Sequence, residues 1–529
     1  LTVTGNTVVD GTLTGNNSTL TFGTDGVHGS TEGGCLLVNS SGTFTFGSGD
    51  VTIFSGFTAK GTEASPNVTS TGGGDIIIKG RTNNGFMNSH SHKGVNITGD
   101  YIIDYDNNAI FDNRGGTTID CGNFIIKHDG RTYEPWSNTG QDLFKIIGNM
   151  QITDGTFDTE YSGQSSQHLT VTGNVEIEDG GALTGNASSI SMGSLATGLA
   201  GAGGTYNATS GTTTITKYAS NGKAIYGNGP IIHNSGTFAF TNTDDYGSIQ
   251  IQLEGGAGSA GAQFNDVTFS GNSTYRFPYY GMGAGITVSG DLTISDTVEI
   301  KQWRRDMIID GGVTIGSGCE YDCEGSGVAG VDSDFTGGGL TIENNGTFKA
   351  SSNTTTLKGG ASLTANRCLK VSTNGVFTHN SGTLNVTGTN WGGSAYAHLW
   401  VPDGFDFGNV TINAGGADSK YYQFREGSGT MNFNNVYCKS GEWRDYNNNN
   451  TFNIRGNVDI GTRGAGGTNA AFFGSDARDN AYTTKLIVGG LVTNYTNGQF
   501  HVPYGTDGTD GCKIGGLRNT GGTVYGDTA

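Results

Sequence analysis

Apolar and polar residues alternate along this chain in short bursts, and one nine-residue pattern recurs: apolar-x-apolar-x-Gly-(Asn/Asp)-apolar-x-apolar. It occupies Val95–Ile103, Phe144–Ile152, Leu169–Ile177, Ile286–Ile294 and Phe452–Ile460, and Leu1–Asn6 opens a variant of it. Alternation with period two puts the apolar residues of each half on one face, which predicts two short strands. The Gly-Asn or Gly-Asp step supplies the bend between them. A second phrase, Asn-(Ser/Asn)-Gly-Thr-apolar, recurs at Asn234–Phe240, Asn380–Val386 and, a little altered, Asn344–Phe348. Here Asn-Gly or Ser-Gly turns the chain and Thr begins the next strand.

The two phrases combine into a longer unit: a strand, an aromatic-and-Arg segment read as a loop, then the Gly-bend pair of strands. Phe264–Phe269 leads through Tyr275, Arg276, Phe277, Tyr279 and Tyr280 to the corner at Ile286, and Phe433–Cys438 leads through Trp443, Arg444 and Tyr446 to Phe452. Cys121–Ile126 leads through Arg131, Tyr133 and Trp136 to Phe144, and a looser copy runs from Ile76 through Arg81, Phe86, His90 and His92 to Val95. Neighbouring corners, such as those at Phe144 and Leu169 or at Ile286 and Met307, lie some 20 to 25 positions apart, the length of one coil with three short faces. Antiparallel hairpins in a sandwich would use similar turns, but near-identical corners are what stacked coils require. The expected fold is therefore all-β: a right-handed parallel β-helix, or β-solenoid, running as one continuous unit over residues 1–529. At about 4.8 Å per coil, roughly two dozen coils make a rod on the order of 110 Å long.

Composition agrees. Of 529 residues 94 are Gly and only 6 are Pro, 33% are hydrophobic, 14% charged and 10% aromatic. That combination suits a thin, elongated core better than a compact enzyme or a disordered chain. With 28 Lys+Arg against 47 Asp+Glu the net charge is −19, which argues against a groove that tracks nucleic-acid phosphates. The excess of carboxylates is read as serving solubility, with weak binding of a cation such as calcium as the alternative use, and no cofactor is expected. No apolar run is long enough to span a membrane, and the opening on Leu1 inside a repeat is read as part of a longer or processed product. Seven cysteines, an odd number, are expected as buried free thiols, although Cys319 and Cys323 are close enough to pair.

The aromatic-and-Arg segments are the candidate binding chemistry, because aromatic faces with neighbouring donors suit sugar rings and guanidinium groups suit carboxylates. The candidate ligand-binding residues are Arg131, Tyr133, Trp136, Arg276, Tyr279, Tyr280, Tyr421, Tyr422, Arg425, Trp443, Arg444 and Tyr446, set along related faces if the coils stack in register. The same residues could instead cover the core or pack against a partner rod. Four carboxylate pairs, Asp104 with Asp106, Asp244 with Asp245, Asp332 with Asp334, and Asp403 with Asp406, offer the spacing of a glycosidase. Asp is also abundant at turns for local reasons, so no catalytic residue is assigned. His90-Ser-His92 lacks a third metal ligand, and Asp507-Gly-Thr-Asp510 lacks the calcium-binding nonapeptide, so no metal ligand is assigned either. Neither a phosphate loop nor a nucleophile elbow is present.

The corner phrase Leu169–Ile177, the opening Leu1–Gly15 and the strand start Phe433-Asn-Asn-Val436 resemble the repeats of parallel β-helix fibre proteins, found in bacteriophage tail fibres and tailspikes and in large bacterial surface adhesins. The resemblance implies an extracellular place on a virion or cell surface, contact with a host surface or its glycans, and, for the phage fibres, frequent homotrimers. The leading expectation is a non-enzymatic structural or adhesive role. A tailspike-like polysaccharide depolymerase and an architectural filament subunit without a ligand are the alternatives.

Overall fold

The computed structural model describes residues 1–525 apart from 25–34, 55, 81–85, 91–92, 106–107, 138–139, 199–202, 245–246, 254–263, 278–285, 304–305, 326–333, 359–366, 388–395, 414–420, 425–428, 446–449, 462–470, 474–484 and 503–510. Among the described residues every regular element is a strand, and apart from one short antiparallel bridge, Thr62 with Ser65, the pairings within each unit are parallel. The fold is a parallel β-solenoid. It divides into two compact units: Leu1–Thr243, Ile249–Asp266 and Gly281–Gly283 form the first, and Asp244–Ser248, Val267–Tyr280 and Ala284–Ala529 the second.

In the first unit a single inward column can be followed through Leu20, Val51, Ile76, Tyr101, Phe124, Met150, Val175, Leu195, Ile225 and Ile251, each the register partner of the next. All ten are buried. Successive members lie 20 to 31 positions apart, so a coil tolerates insertions between its strands while its core position is kept. In the second unit one inward column runs through Ile286, Met307, Phe335, Thr355, Leu384, Val410, Val436, Val458 and Val492. Its one polar member, Thr355, accepts a hydrogen bond from the Ser351 N–H, so burying its hydroxyl leaves no orphaned acceptor.

The Gly-Asn/Asp corners bend as expected, and they also stack on one another. In the first unit the Asp75 N–H donates to Asp50 Oδ1, the Asp100 N–H to Asp75 Oδ1, and the Asn123 N–H and side-chain amide to Asp100 Oδ1. The Asn149 amide donates to Asn123 Oδ1, the Asn174 N–H to Asn149 Oδ1, and the Ser194 hydroxyl to Asn174 Oδ1. One polar side chain per coil thus holds the next coil in register. The preceding glycine lets the backbones approach: a Cβ on Gly74 would sit 2.5 Å from Gly49 O, and one on Gly148, whose φ is 135°, would sit 2.0 Å from Cys121 O.

The second phrase is a turn with its own fixed contacts. In His233–Thr237 and again in His379–Thr383 the Asn side-chain amide donates to an alanine carbonyl of the coil before, Ala208 O at 2.7 Å and Ala350 O at 2.8 Å. In both copies the Ser N–H donates to the histidine Nδ1 at 3.0 Å. Asn234, Ser235, Asn380 and Ser381 all take positive φ, a conformation Asn tolerates because its short side chain bonds locally.

Within the second unit the Gly bend changes corner. Bends at Gly290 and Gly311 follow strands of the inward column just traced, Ile286–Val288 and the first half of Met307–Ile315. Bends at Asn434–Asn435 and at Gly456 precede its strands, Val436–Ser440 and Val458–Ile460. The strand Thr274–Arg276 accordingly lies in a ladder with Glu299–Lys301 and Glu320–Asp322, whereas Glu442–Asp445 lies in another with Tyr421–Phe424 and Tyr396–Trp400. The expectation that these two aromatic segments share related faces is corrected: counting from the nearest bend gives the same face only while the bend keeps its corner.

Candidate functional site: Arg-Trp stacks at strand ends

The segments read as aromatic-and-Arg loops are strands. Residues 132–136 form the end of Thr117–Trp136, Tyr275 lies within Thr274–Arg276, and Trp443 within Glu442–Asp445. Alternation therefore decides which side chains face out. Tyr133 is buried and packs on Phe157 at 5.5 Å and Phe124 at 6.1 Å, and Trp443 is buried against Phe433 at 5.2 Å and Phe452 at 5.7 Å. Both belong to the core and present no face to a ligand, which corrects their place among the candidates. Arg131 is exposed, and Trp136 and Arg276 are half-buried on the outside. Tyr421 and Tyr422 are register partners of Glu442 and Trp443, and Gln423 is the partner of Arg444, so these strands are direct neighbours. Tyr279, Tyr280, Arg425 and Tyr446 lie outside the described residues.

Trp136 and Arg276 each stack with a residue of the adjacent coil. The Arg114 guanidinium lies over the Trp136 ring at 5.2 Å, and that of Arg276 over Trp303 at 4.1 Å. The two stacks are built alike: Asp112 is the register partner of Trp136 and Arg114 follows it by two residues, while Lys301 is the partner of Arg276 and Trp303 follows it by two. A polar cluster pins the first stack from behind. The Asn113 N–H donates to Trp136 O, and the Asn113 amide and the Asp142 N–H both donate to Gln167 Oε1. The Gly115 N–H and the Ser137 hydroxyl donate to Asp142 Oδ2. Asn113, Ser137 and Gln167 are buried, so the stack rests on side chains with little freedom to move. Arg114 and Trp303 escaped sequence reasoning because each lies a coil away from its partner.

A carboxylate pair also flanks Trp136. Glu134 and Asp158 directly follow the register partners Tyr133 and Phe157, so they project outward from adjacent coils about 4.8 Å apart. Burial raises the Glu134 carboxyl, with the Asp158 charge adding to it. Burial also raises Asp158, against hydrogen bonds from the Glu160 N–H and the Asn186 amide that lower it. Of the pairs suggested by sequence, only Asp403 with Asp406 is wholly described, and both serve structure. Asp403 Oδ1 accepts from the Thr430 N–H at 2.6 Å. Burial pushes Asp406 up, but the Arg455 hydrogen bond at 2.7 Å, the Gly408 N–H and the Arg455 and His379 charges outweigh it and hold the carboxyl below its ordinary value. An acid held ionised in this way is a poor proton donor.

His92, Asp507 and Asp510 lie outside the described residues, and among those described no group of three or more His, Cys, Asp or Glu could hold a metal ion. The seven cysteines are free, Cys319 and Cys323 included. Burial raises the thiols of Cys121 and Cys368 to about 12 and of Cys512 to about 11, which keeps them protonated and unreactive at neutral pH. Among the described residues no helix is long and apolar enough to cross a membrane. The class these features define is a β-solenoid that carries polar and aromatic side chains on fixed outer rows. No family model, curated protein or solved structure matches the chain, so its function is read from this surface chemistry.

Proposed function

We propose that the chain is a non-enzymatic structural and adhesive β-solenoid, a virion fibre or surface appendage that meets a host or cell surface through its outer rows. The Arg114-Trp136 stack, held by the buried Asn113, Ser137 and Gln167, carries this reading. An indole ring with a guanidinium stacked on it brings an aromatic surface and a carboxylate-binding donor to one point, which suits a sugar ring bearing a carboxylate. The test is a glycan array carrying neutral and uronate sugars. We expect the intact chain to retain uronate glycans and Trp136→Ala to bind them at least tenfold more weakly, with unchanged thermal unfolding. A silent array would leave an architectural subunit as the better description.

One observation favours a second reading, a polysaccharide depolymerase. Glu134 and Asp158 project from adjacent coils beside Trp136, and both are shifted toward the protonated form, the state a glycosidase's acid needs. Release of reducing ends from a uronate polysaccharide, lost in Glu134→Gln, would replace the adhesive reading with this one.

A further inference from the structure

The second unit carries a different kind of surface. Three consecutive strands, Thr354–Lys358, Thr383–Thr387 and Asn409–Asn413, present nine outward side chains in register. The columns are Thr354, Thr383, Asn409; then Thr356, Asn385, Thr411; then Lys358, Thr387, Asn413. The alternating residues Thr355, Leu357, Leu384, Val386, Val410 and Ile412 are buried, so the nine stand on a firm base. The middle column continues into Tyr437, the half-buried partner of Thr411. Eight of the nine positions are neutral hydroxyls or amides in a chain of net charge −19. Charge bounds the strip: Asp334 aligns with Thr354 one rung before it, Asp459 is the register partner of Tyr437 one rung after it, and Lys358, the one charged position of the nine, pairs with Asp310 at 3.8 Å.

Size and charge together choose the partner. Rungs about 4.8 Å apart and alternate residues about 6.8 Å apart make a patch of about 300 Å². A stable protein partner covers about 800 Å² on each side, so this patch is too small for a second copy of the chain or another protein. It suits a narrow polymer that offers hydroxyls at regular intervals and no charge. We propose that the strip from Thr354 to Tyr437 binds an extended neutral polysaccharide, with Tyr437 as the ring platform and Asn385, Thr411 and Asn413 as hydrogen-bonding partners. The inference rests on the adhesive reading and adds a second, neutral specificity to it.

Affinity electrophoresis of the intact chain through gels containing mannan, dextran, laminarin or polygalacturonate tests the strip. We expect at least one neutral polymer to retard the chain, and Thr411→Glu and Tyr437→Ala to reduce that retardation at least tenfold. If Thr411→Glu melts early, Thr383→Glu, at the strip's edge, serves in its place. No retardation by any neutral polymer, or equal retardation of folded Thr411→Glu and Tyr437→Ala, would overturn the proposal. Trp136→Ala separates the two claims: if it alone loses glycan binding, the strip falls and the adhesive reading stands. If the strip variants alone lose binding, the Arg114-Trp136 site falls instead.

Discussion

The polar stack at the bends of the first unit has two halves that do one job with different chemistry. Asp50, Asp75 and Asp100 form one half, and Asn123, Asn149 and Asn174 the other. In both, a side-chain oxygen accepts a hydrogen bond from the coil that follows. The carboxylates place like charges one rung apart, about 4.8 Å, whereas the amides donate as well as accept and can bond to each other. The cost of the first arrangement is visible at Asp75. Burial raises its carboxyl, the Asp100 N–H lowers it, the Asp100 and Asp50 charges raise it again, and Lys127 offsets only part of this. Backbone geometry therefore makes the bend, and the side chain sets how the bend responds to pH.

The largest effect should come from the glycines, and it should not distinguish the halves. Gly74→Ala and Gly173→Ala each drive a Cβ to 2.5 Å from a backbone carbonyl one coil away, Gly49 O or Gly148 O, which cannot swing aside; at Gly173 the Asn149 side-chain oxygen, at 2.4 Å, must move as well. Each should cost about 3 kcal/mol or more in urea unfolding, and a large difference between them would show that the halves differ in backbone too. Next comes Asn149→Asp, which replaces the amide that donates to Asn123 Oδ1 with a carboxylate facing that oxygen. It should cost about 1 kcal/mol at neutral pH. Protonation restores the donor, so the loss should fade on acidification to about pH 4. The smallest effect is expected for Asp75→Asn. A folded carboxyl raised above its unfolded value is favoured below the ordinary aspartate range, and that advantage is lost as pH rises through the folded value. Asp75→Asn should therefore be more stable than the wild type at pH 7, by about 0.5 kcal/mol for so exposed a group. It should lose that margin near pH 4, and a margin independent of pH would exclude charge as its source.

Much of the coil was legible in one dimension. The nine-residue corners, their strands and the core positions at Ile97, Tyr101, Ile146 and Met150 follow from period-two alternation around a glycine. The Asn-Ser-Gly-Thr turns were readable for the same reason, since only a few residue types accept positive φ. What was lost is whatever depends on register between coils. Tyr133 and Trp443 looked like ligand platforms because aromatic residues beside arginine suggest a binding loop, yet a strand points them inward. Arg114 lies 22 positions before Trp136 and touches it only because Asp112 and Trp136 pair. The wandering Gly bend in the second unit defeats any count of faces made from the bend itself.

The bend stack has a consequence for how such a chain can change length. Each Asp or Asn answers only to the coil on either side of it, and His233–Thr237 and His379–Thr383 make matching contacts in different coils. A segment that starts and ends at equivalent bends is thus a cassette: its duplication or deletion rejoins matching seams and leaves every other seam as it was. Inheritance can lengthen or shorten the array by whole rungs while point mutation retunes the chemistry on each rung separately.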